Sequence, residues 1–244
     1  MRILVVNDDG IGSAGICCLA DLAMQLGEVW VAAPEGQCSA MSHRISVYGA
    51  INVKRENDFP VRGVRAYRIG GTPADCVKVA LDHLMPEKPD LVFSGINHGY
   101  NVGVDILYSG TVGAAMEALV NGIPAMAFSS DDNRDRRVPD RYLIPVVKDL
   151  LSREIGGNQI WNINFPSGDP RDVKGILRDR LICPKSAYET VYTPLEGQGE
   201  DVKLAVSSIR QSEAPEGTDM AAVFGGYISI GKVDSGVLAG KRLV

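Results

Sequence analysis

The chain has 244 residues, 45% of them hydrophobic, with a formal charge of −5 and five cysteines. This is enough apolar material for a full core, either as one large domain or as a domain with an extension. The acidic balance argues against a basic face for duplex nucleic acid, and no apolar stretch outlasts an ordinary strand or helix, so no membrane span is expected. No basic region followed by a long apolar segment precedes the first strand, the odd cysteine count includes adjacent Cys17 and Cys18, and there is no Cys/His cluster. A reduced, soluble, cytoplasmic protein with neither signal peptide nor zinc site is the expectation.

The first element is the apolar run Ile3-Leu4-Val5-Val6, closed by Asn7-Asp8-Asp9-Gly10, which reads as a buried strand ending in a turn. Ser13 to Leu26 then carries a helical stripe at Ile16, Leu19, Ala20 and Ala23, stopped by Gly27. Val29 to Ala33 is a second strand, ended by Pro34. From Ile45 to Ile69 there are β-rich pieces (Ile45 to Tyr48, Val64 to Tyr67) and no helical pattern, so a hairpin-like insertion is predicted at about 45–69. Thr72-Pro73-Ala74-Asp75 is a helix start, with Thr as N-cap, Pro at the first helical position and an acid three residues after the cap. Val77, Ala80, Leu81 and Leu84 give its buried face and Pro86 its end.

Asp90 to Phe93 is a third strand, Thr111 to Val120 a small-residue helix and Ala125 to Phe128 a fourth strand. The mixed-charge run Asp131 to Arg137 reads as a solvated loop. Pro139 to Leu151 is a further helix, followed by the strand Trp161 to Phe165. Strand–helix alternation of this kind predicts an α/β fold with a mainly parallel sheet covered on both faces. Ser186 to Asp219 breaks the rhythm and reads as an extended arm, either an oligomerisation device or a long surface connection.

The adjacent acids Asp8 and Asp9 are the sharpest chemical signal. Ligands of open α/β sheets collect outside the carboxyl ends of the strands. Two neighbouring carboxylates repel each other unless something positive compensates them, and no Lys or Arg lies between Arg2 and Arg44. A metal ion is the economical answer; the competing reading is that both acids cap the next helix and face water. Later strand ends add Ser39 and Ser42 in the loop after the second strand, Asn97 and His98 after the third, and the turn Ser109-Gly110-Thr111.

Two carboxylates, a Ser hydroxyl and an Asn carbonyl make an oxygen shell suited to Mg²⁺ or Mn²⁺. Backbone N–H groups at the Ser109-Gly110-Thr111 helix start could receive a phosphate. Taken singly, Asn97 is a turn residue, Ser39 a loop residue, and Ser109 and Thr111 helix caps. His43 or His98 could protonate a leaving group.

Two rival patterns share the same turn. Gly10, Gly12 and Gly15 form a complete GxGxxG after a strand, and Glu35 follows at the distance seen in dinucleotide-binding folds, so an NAD(P)-binding oxidoreductase is the alternative. Against it, a pyrophosphate on this turn would sit beside Asp8 and Asp9. The haloacid-dehalogenase pattern would need Asn7 as nucleophile, and Asn cannot form an aspartyl-phosphate.

The chain resembles the SurE family, the stationary-phase survival proteins. The matching pieces are NDDGI at Asn7 to Ile11, the AAP loop with Ser39, GGTPADCV at Gly70 to Val77 and SGIN at Ser94 to Asn97. They continue with YSGTVGAAMEA at Tyr108 to Ala118, WNINFP at Trp161 to Pro166 and TDMAAVFGGYISI at Thr218 to Ile230. The resemblance implies a Rossmann-like core, here residues 1–185, with an arm and oligomerisation segment, 186–244, used in a homodimer or homotetramer.

It also implies hydrolysis of nucleoside 5′- or 3′-monophosphates, and of other phosphomonoesters, with one Mg²⁺ or Mn²⁺ per subunit. By position, Asp8, Asp9, Ser39 and Asn97 would be the metal ligands, with Asp8, Asp9 and Asn97 catalytic. Ser39, Ala40, Ser109, Gly110 and Thr111 would lie on the phosphate side. The chain departs from the family's usual pattern at Gly12, Ala14, Ala40, Arg44 and His98. The Gly12 departure is what creates the GxGxxG. A non-catalytic nucleotide- or metal-sensing protein on the same fold is the third reading.

Overall fold

The computed structural model of the protein describes residues 1–198 and 201–236. Its core is a nine-stranded sheet built from β1 (Arg2–Val6), β2 (Glu28–Pro34), β3 (Val53–Arg55), β4 (Arg65–Ile69), β5 (Leu91–His98), β6 (Ala125–Ser130), β7 (Gln159–Phe165), β8 (Ile176–Arg180) and β11 (Ile228–Asp234). The spatial order is β3-β4-β2-β1-β5-β6-β7-β11-β8. All neighbours are parallel except β3 on β4 and β11 on β7. The strand order reverses at β1, which pairs with β2 on one side and β5 on the other. That reversal opens a crevice beyond the carboxyl ends of β1 and β5.

Helices α1 (Ala14–Ala23), α2 (Pro73–Val79), α3 (Gly110–Val120), α4 (Arg137–Leu151) and α5 (Asp219–Phe224) accompany the sheet. Alternation along β1 explains the two layers. Ile3 and Val5 enter one apolar cluster with Ile16 and Leu19 of α1 and Leu143 and Val147 of α4. Leu4 and Val6 enter the other with Cys76 and Val77 of α2 and Ala114, Ala115 and Ala118 of α3. Small residues let α3 lie close to the sheet, and the fully buried side chains of β1 are covered from both sides.

Four of these five helix starts are held by a capping side chain; α4, which begins at Arg137, has none. Ser13 caps α1, Ser109 caps α3 and Thr218 caps α5. Thr72 and Asp75 form the reciprocal capping box of α2. Neither Asp8 nor Asp9 caps α1, because Ser13 already takes the Ile16 N–H.

Two expectations change. Ile45 to Tyr48 forms no strand: the N–H and hydroxyl of Ser46 are drawn to the Asp75 carboxylate at 2.9 and 2.7 Å instead. The insertion contributes only β3 and β4 to the sheet edge. The third strand continues past Phe93 to His98, so the SGIN motif lies within β5 rather than after it.

The arm is a long antiparallel hairpin, β9 (Tyr188–Gln198) and β10 (Asp201–Arg210), standing apart from the main sheet. A small third cluster, including Tyr100, Val102, Cys183, Ala187, Met220 and Val223, packs its root. Within the stretch 186–244, the hairpin leaves the sheet and β11 returns to it; residues 237–244 of that stretch lie outside the described residues.

Candidate active site

The crevice at the sheet reversal is a cleft of about 890 Å³ whose walls include Asp8, Ser39, Ala40, Asn97 and Ser109. Segments 39, 97 and 109 are remote in sequence, and each is tied to the β1 turn or to its neighbour. Asn7, fully buried, donates to the Gly10 carbonyl at 3.0 Å and to Ser13 Oγ at 2.8 Å, which shapes the turn that presents Asp8 and Asp9. The Ser39 loop is fixed at one end by the Cys38 N–H on the Asp8 carbonyl at 2.7 Å. At its other end the Ser42 N–H meets the Tyr108 carbonyl at 2.9 Å and the Ser42 hydroxyl meets Leu107 O at 2.7 Å. Ser39 is therefore held between Asp8 and the Leu107-Tyr108 segment that precedes Ser109. Ala40 and Ser42 turn the loop with φ of 56° and 54°, in the left-handed region that L-residues visit rarely.

Asp8 is 4% exposed and accepts the Thr111 hydroxyl on Oδ1 at 2.5 Å. Burial pushes its carboxyl up to about 6; the charge of Asp9 adds to the rise, and the Thr111 hydrogen bond opposes it. Gly110 packs directly on this carboxylate: a Cβ there would lie 2.8 Å from Asp8 Cβ and 3.1 Å from Oδ2. Only glycine permits the close approach.

Asp9 is half-buried, and its Oδ2 accepts the His98 N–H and the Asn133 side-chain amide, both at 2.9 Å. Burial raises its carboxyl too, against these two donors. Asn97 donates from Nδ2 to the Gly99 carbonyl at 2.9 Å, which fixes the amide through its nitrogen.

The histidines separate. His98 lies on the cleft wall, with Nδ1 3.8 Å from Asp132. His43 instead pairs with Glu117 of α3 at 2.7 Å, in a neighbouring groove. The GxGxxG residues also scatter in role. Gly15 is required because α1 crosses β5 closely, where a Cβ would come 2.0 Å from Ile96 O, whereas nothing lies within 4 Å of a Cβ at Gly12. Glu35 faces a different groove and sits 4.0 Å from Lys54.

Sequence reasoning missed the supporting asparagines. Asn133, in the run read as a solvated loop, is 8% exposed and reaches both Asp9 and Ile96 O. The charged neighbours of that run do pair in solvent: Arg134 with Asp132, Arg137 with Asp135, Arg136 with Asp21 and Asp140. Asn162 and Asn164 of β7 both donate to the Asn101 carbonyl and so hold the loop after β5. Their signal was available as two amides at alternate positions of an otherwise apolar strand.

The donor set fits a hard divalent cation. The Asp8–Asp9 pair has no cationic partner among the described residues beyond the His98 side of Asp9, and the remaining candidates are oxygens. The cleft wall carries Asp8, Asp105, Asp131 and Glu189 against a single arginine, Arg210, which is bonded to Asp131 at 2.7 Å. An anion entering such a cleft needs added positive charge. Among the described residues no group of three or more His, Cys, Asp or Glu gathers to hold an ion; the candidate set instead mixes two carboxylates with a hydroxyl and an amide.

Fold and site together define an α/β protein with an acidic, oxygen-rich cleft at the reversal point of its sheet, walled in part by the N-cap of α3, Ser109. The chain belongs to the SurE family: the family model described as Survival protein SurE matches residues 3–186. It is 38% identical over 234 residues to a protein of Thermoanaerobacter sp. (strain X514) named 5′-nucleotidase SurE, covering 94% of this chain and 90% of that relative. A protein of the same name from Aeromonas hydrophila subsp. hydrophila is 37% identical over 230 residues, with the same coverage. The crystal structure of the SurE protein from Aquifex aeolicus superposes with a TM-score of 0.80 at 31% identity, covering 100% of this chain and 98% of that one. No helix among the described residues is long and apolar enough to cross a membrane.

Proposed function

We propose that this protein is a phosphomonoesterase that uses one Mg²⁺ or Mn²⁺ per subunit to hydrolyse nucleoside 5′- or 3′-monophosphates to nucleoside and phosphate. The observation that carries the reading is the buried Asp8 beside Asp9, facing Ser39, Asn97 and the α3 N-terminus in one cleft. Family membership and the names of the relatives support it. Asp8, Asp9, Ser39 and Asn97 are the residues that would hold the ion. When bound, the ion supplies charge neutralisation for the phosphoryl group and a more acidic water.

The chain's own contribution is positioning. Thr111 and Gly110 confine the Asp8 carboxylate to one orientation, and the Asn133 amide and His98 N–H confine Asp9. At the start of α3, the backbone N–H groups of Gly110 and Thr111 precede the first helical hydrogen bonds; that of Thr111 is turned to the Asp8 carboxylate, and that of Gly110, next to the cleft-lining Ser109, would receive a phosphoryl oxygen. The Gly110 N–H is fixed before substrate arrives, so it stabilises developing charge without reorganisation. Ser39, on its two-point-anchored loop, and Ala40 close the phosphate side. The same reading places the protein in the cytoplasm as a homodimer or homotetramer.

The test is phosphate release from AMP, GMP and p-nitrophenyl phosphate with Mn²⁺, Mg²⁺ or EDTA, beside Asp9→Asn. Metal-dependent release that disappears in Asp9→Asn supports the proposal. Release that persists in EDTA, or folded protein that releases nothing with either ion, rejects it.

A further inference from the structure

A phosphoryl group fills a small part of a cleft of about 890 Å³, a volume at the upper end for small-molecule sites. The far wall of that cleft is the root of the β9–β10 hairpin, and it is pinned from three directions. Asp105 accepts the Ser186 hydroxyl, the Ala187 N–H at 2.7 Å and the Tyr188 N–H at 3.1 Å. The Tyr188 hydroxyl accepts the Tyr100 N–H at 3.4 Å, beside Gly99 and so two residues from Asn97. Arg210 bonds Asp131 and lies 5.3 Å from the centre of the Tyr100 ring and 5.5 Å from that of Phe224. The hairpin root is thus built into the site.

Of the hairpin residues on the cleft, Glu189 touches it from the other face of β9, and the remaining three of that strand share one face. Tyr188 pairs with Arg210, Thr190 with Ser208 and Tyr192 with Val206. Tyr188, Thr190 and Tyr192 share one face by the strand's two-residue period, and all three line the cleft. Four residues of strand span about 13 Å, so Tyr192 lies about that far along the hairpin from Tyr188, whose hydroxyl reaches the loop after β5. Tyr192 is 63% exposed and stacks on no other ring among the described residues. An aromatic ring left open to a polar, acidic cleft is suited to a flat π-surface brought in by the ligand.

We infer that Tyr192 is the nucleobase platform of this protein and that the Tyr188–Thr190–Tyr192 face of the hairpin confers its preference for nucleotides over simple phosphomonoesters. The inference rests on the nucleotidase reading and names the part of the site that makes the substrate a nucleotide. Stacking accepts every base because every base has a π-face. The expected selectivity is therefore broad, with purines ahead of pyrimidines through their larger ring area. Tyr192 acts on binding, so its effect falls on KM more than on kcat.

The experiment compares wild type, Tyr192→Ala and Tyr192→Phe on AMP, GMP, UMP and glycerol 2-phosphate, and measures adenosine binding by calorimetry; thermal melts confirm the fold. In Tyr192→Ala the ratio of kcat/KM for AMP to that for glycerol 2-phosphate is expected to fall roughly ten-fold. Adenosine affinity falls with it, and Tyr192→Phe restores both. An unchanged ratio, or equal losses on AMP and glycerol 2-phosphate, overturns the inference while leaving the phosphomonoesterase standing. If wild type hydrolyses no phosphomonoester, the nucleotidase reading fails, and adenosine binding alone then decides: equal affinity in wild type and Tyr192→Ala, or none in either, overturns the platform.

Discussion

Replacing Asp8 by Asn should abolish turnover and at the same time make the metal-free protein more stable. The Asp8 carboxyl is buried, and burial with the neighbouring Asp9 charge raises its pKa from 3.8 to about 6 despite the Thr111 hydrogen bond. An acid whose pKa is higher in the folded state holds its proton more tightly there. Its contribution to stability is complete below about pH 4 and is lost as pH rises through about 6. The rise corresponds to about 3 kcal/mol of folded-state cost once the group is ionised. Asn keeps the shape and an acceptor for Thr111 and carries no charge, so it mimics the protonated acid.

The assay is thermal unfolding of wild type and Asp8→Asn in EDTA from pH 4 to pH 8. The two proteins are expected to differ little at pH 4, to diverge between about pH 4 and 6, and to keep a constant difference above that. By pH 8 the variant is more stable by about 3 kcal/mol, or roughly 6–12 °C in Tm for a chain of this size. Adding Mn²⁺ raises the wild-type melting point and leaves the variant nearly unmoved. A variant that is no more stable than wild type at pH 8, or an advantage that does not vary with pH, would refute the argument that the uncompensated Asp8 charge is stored in the fold.

Four further substitutions test the geometry around it and the glycine-rich turn. Asn97→Ala is expected to raise the Mn²⁺ concentration needed for half-maximal activity, while the lost Gly99 contact costs about 1 kcal/mol in denaturant titration. Asn133→Ala removes the amide that orients Asp9 and satisfies Ile96 O; a stability loss of about 1–3 kcal/mol and at least a roughly tenfold drop in kcat/KM are expected, and wild-type kinetics would show that Asp9 needs no such support. Gly110→Ala forces a methyl onto Asp8, with a cost of about 1–3 kcal/mol and a large loss of activity. Gly12→Ala meets open space and is expected to change stability by no more than about 0.5 kcal/mol; loss of a measurable NAD affinity in that variant would instead revive the dinucleotide reading.

Much of the architecture could be read from the chain because its signals are local. Four aliphatics followed by an acidic turn, Thr-Pro-Ala-Asp at a helix start, and small residues on the helix after Ser109 each state their own conformation within a few positions. The same locality explains the candidate site: Asp8 and Ser39 follow strands, Asn97 lies in the last residues of β5 and Ser109 opens a helix, and parallel strands deliver their carboxyl ends to one edge.

Partner choice across long separations leaves no such trace. Thr111 meets Asp8 from 103 positions away and Asn133 meets Asp9 from 124, and an Asn inside a run of solvated ion pairs looks locally like any other loop residue. Ile45 to Tyr48 has strand-forming composition, yet a capping carboxylate 29 positions on claims Ser46 and no strand forms. Nothing within the arm indicates that Asp105 and Asp131 would seize its two ends and turn it into a wall of the cleft. Composition and periodicity encode which segments form and which faces they bury, whereas which distant donor satisfies which buried acceptor is settled only when packing brings them together.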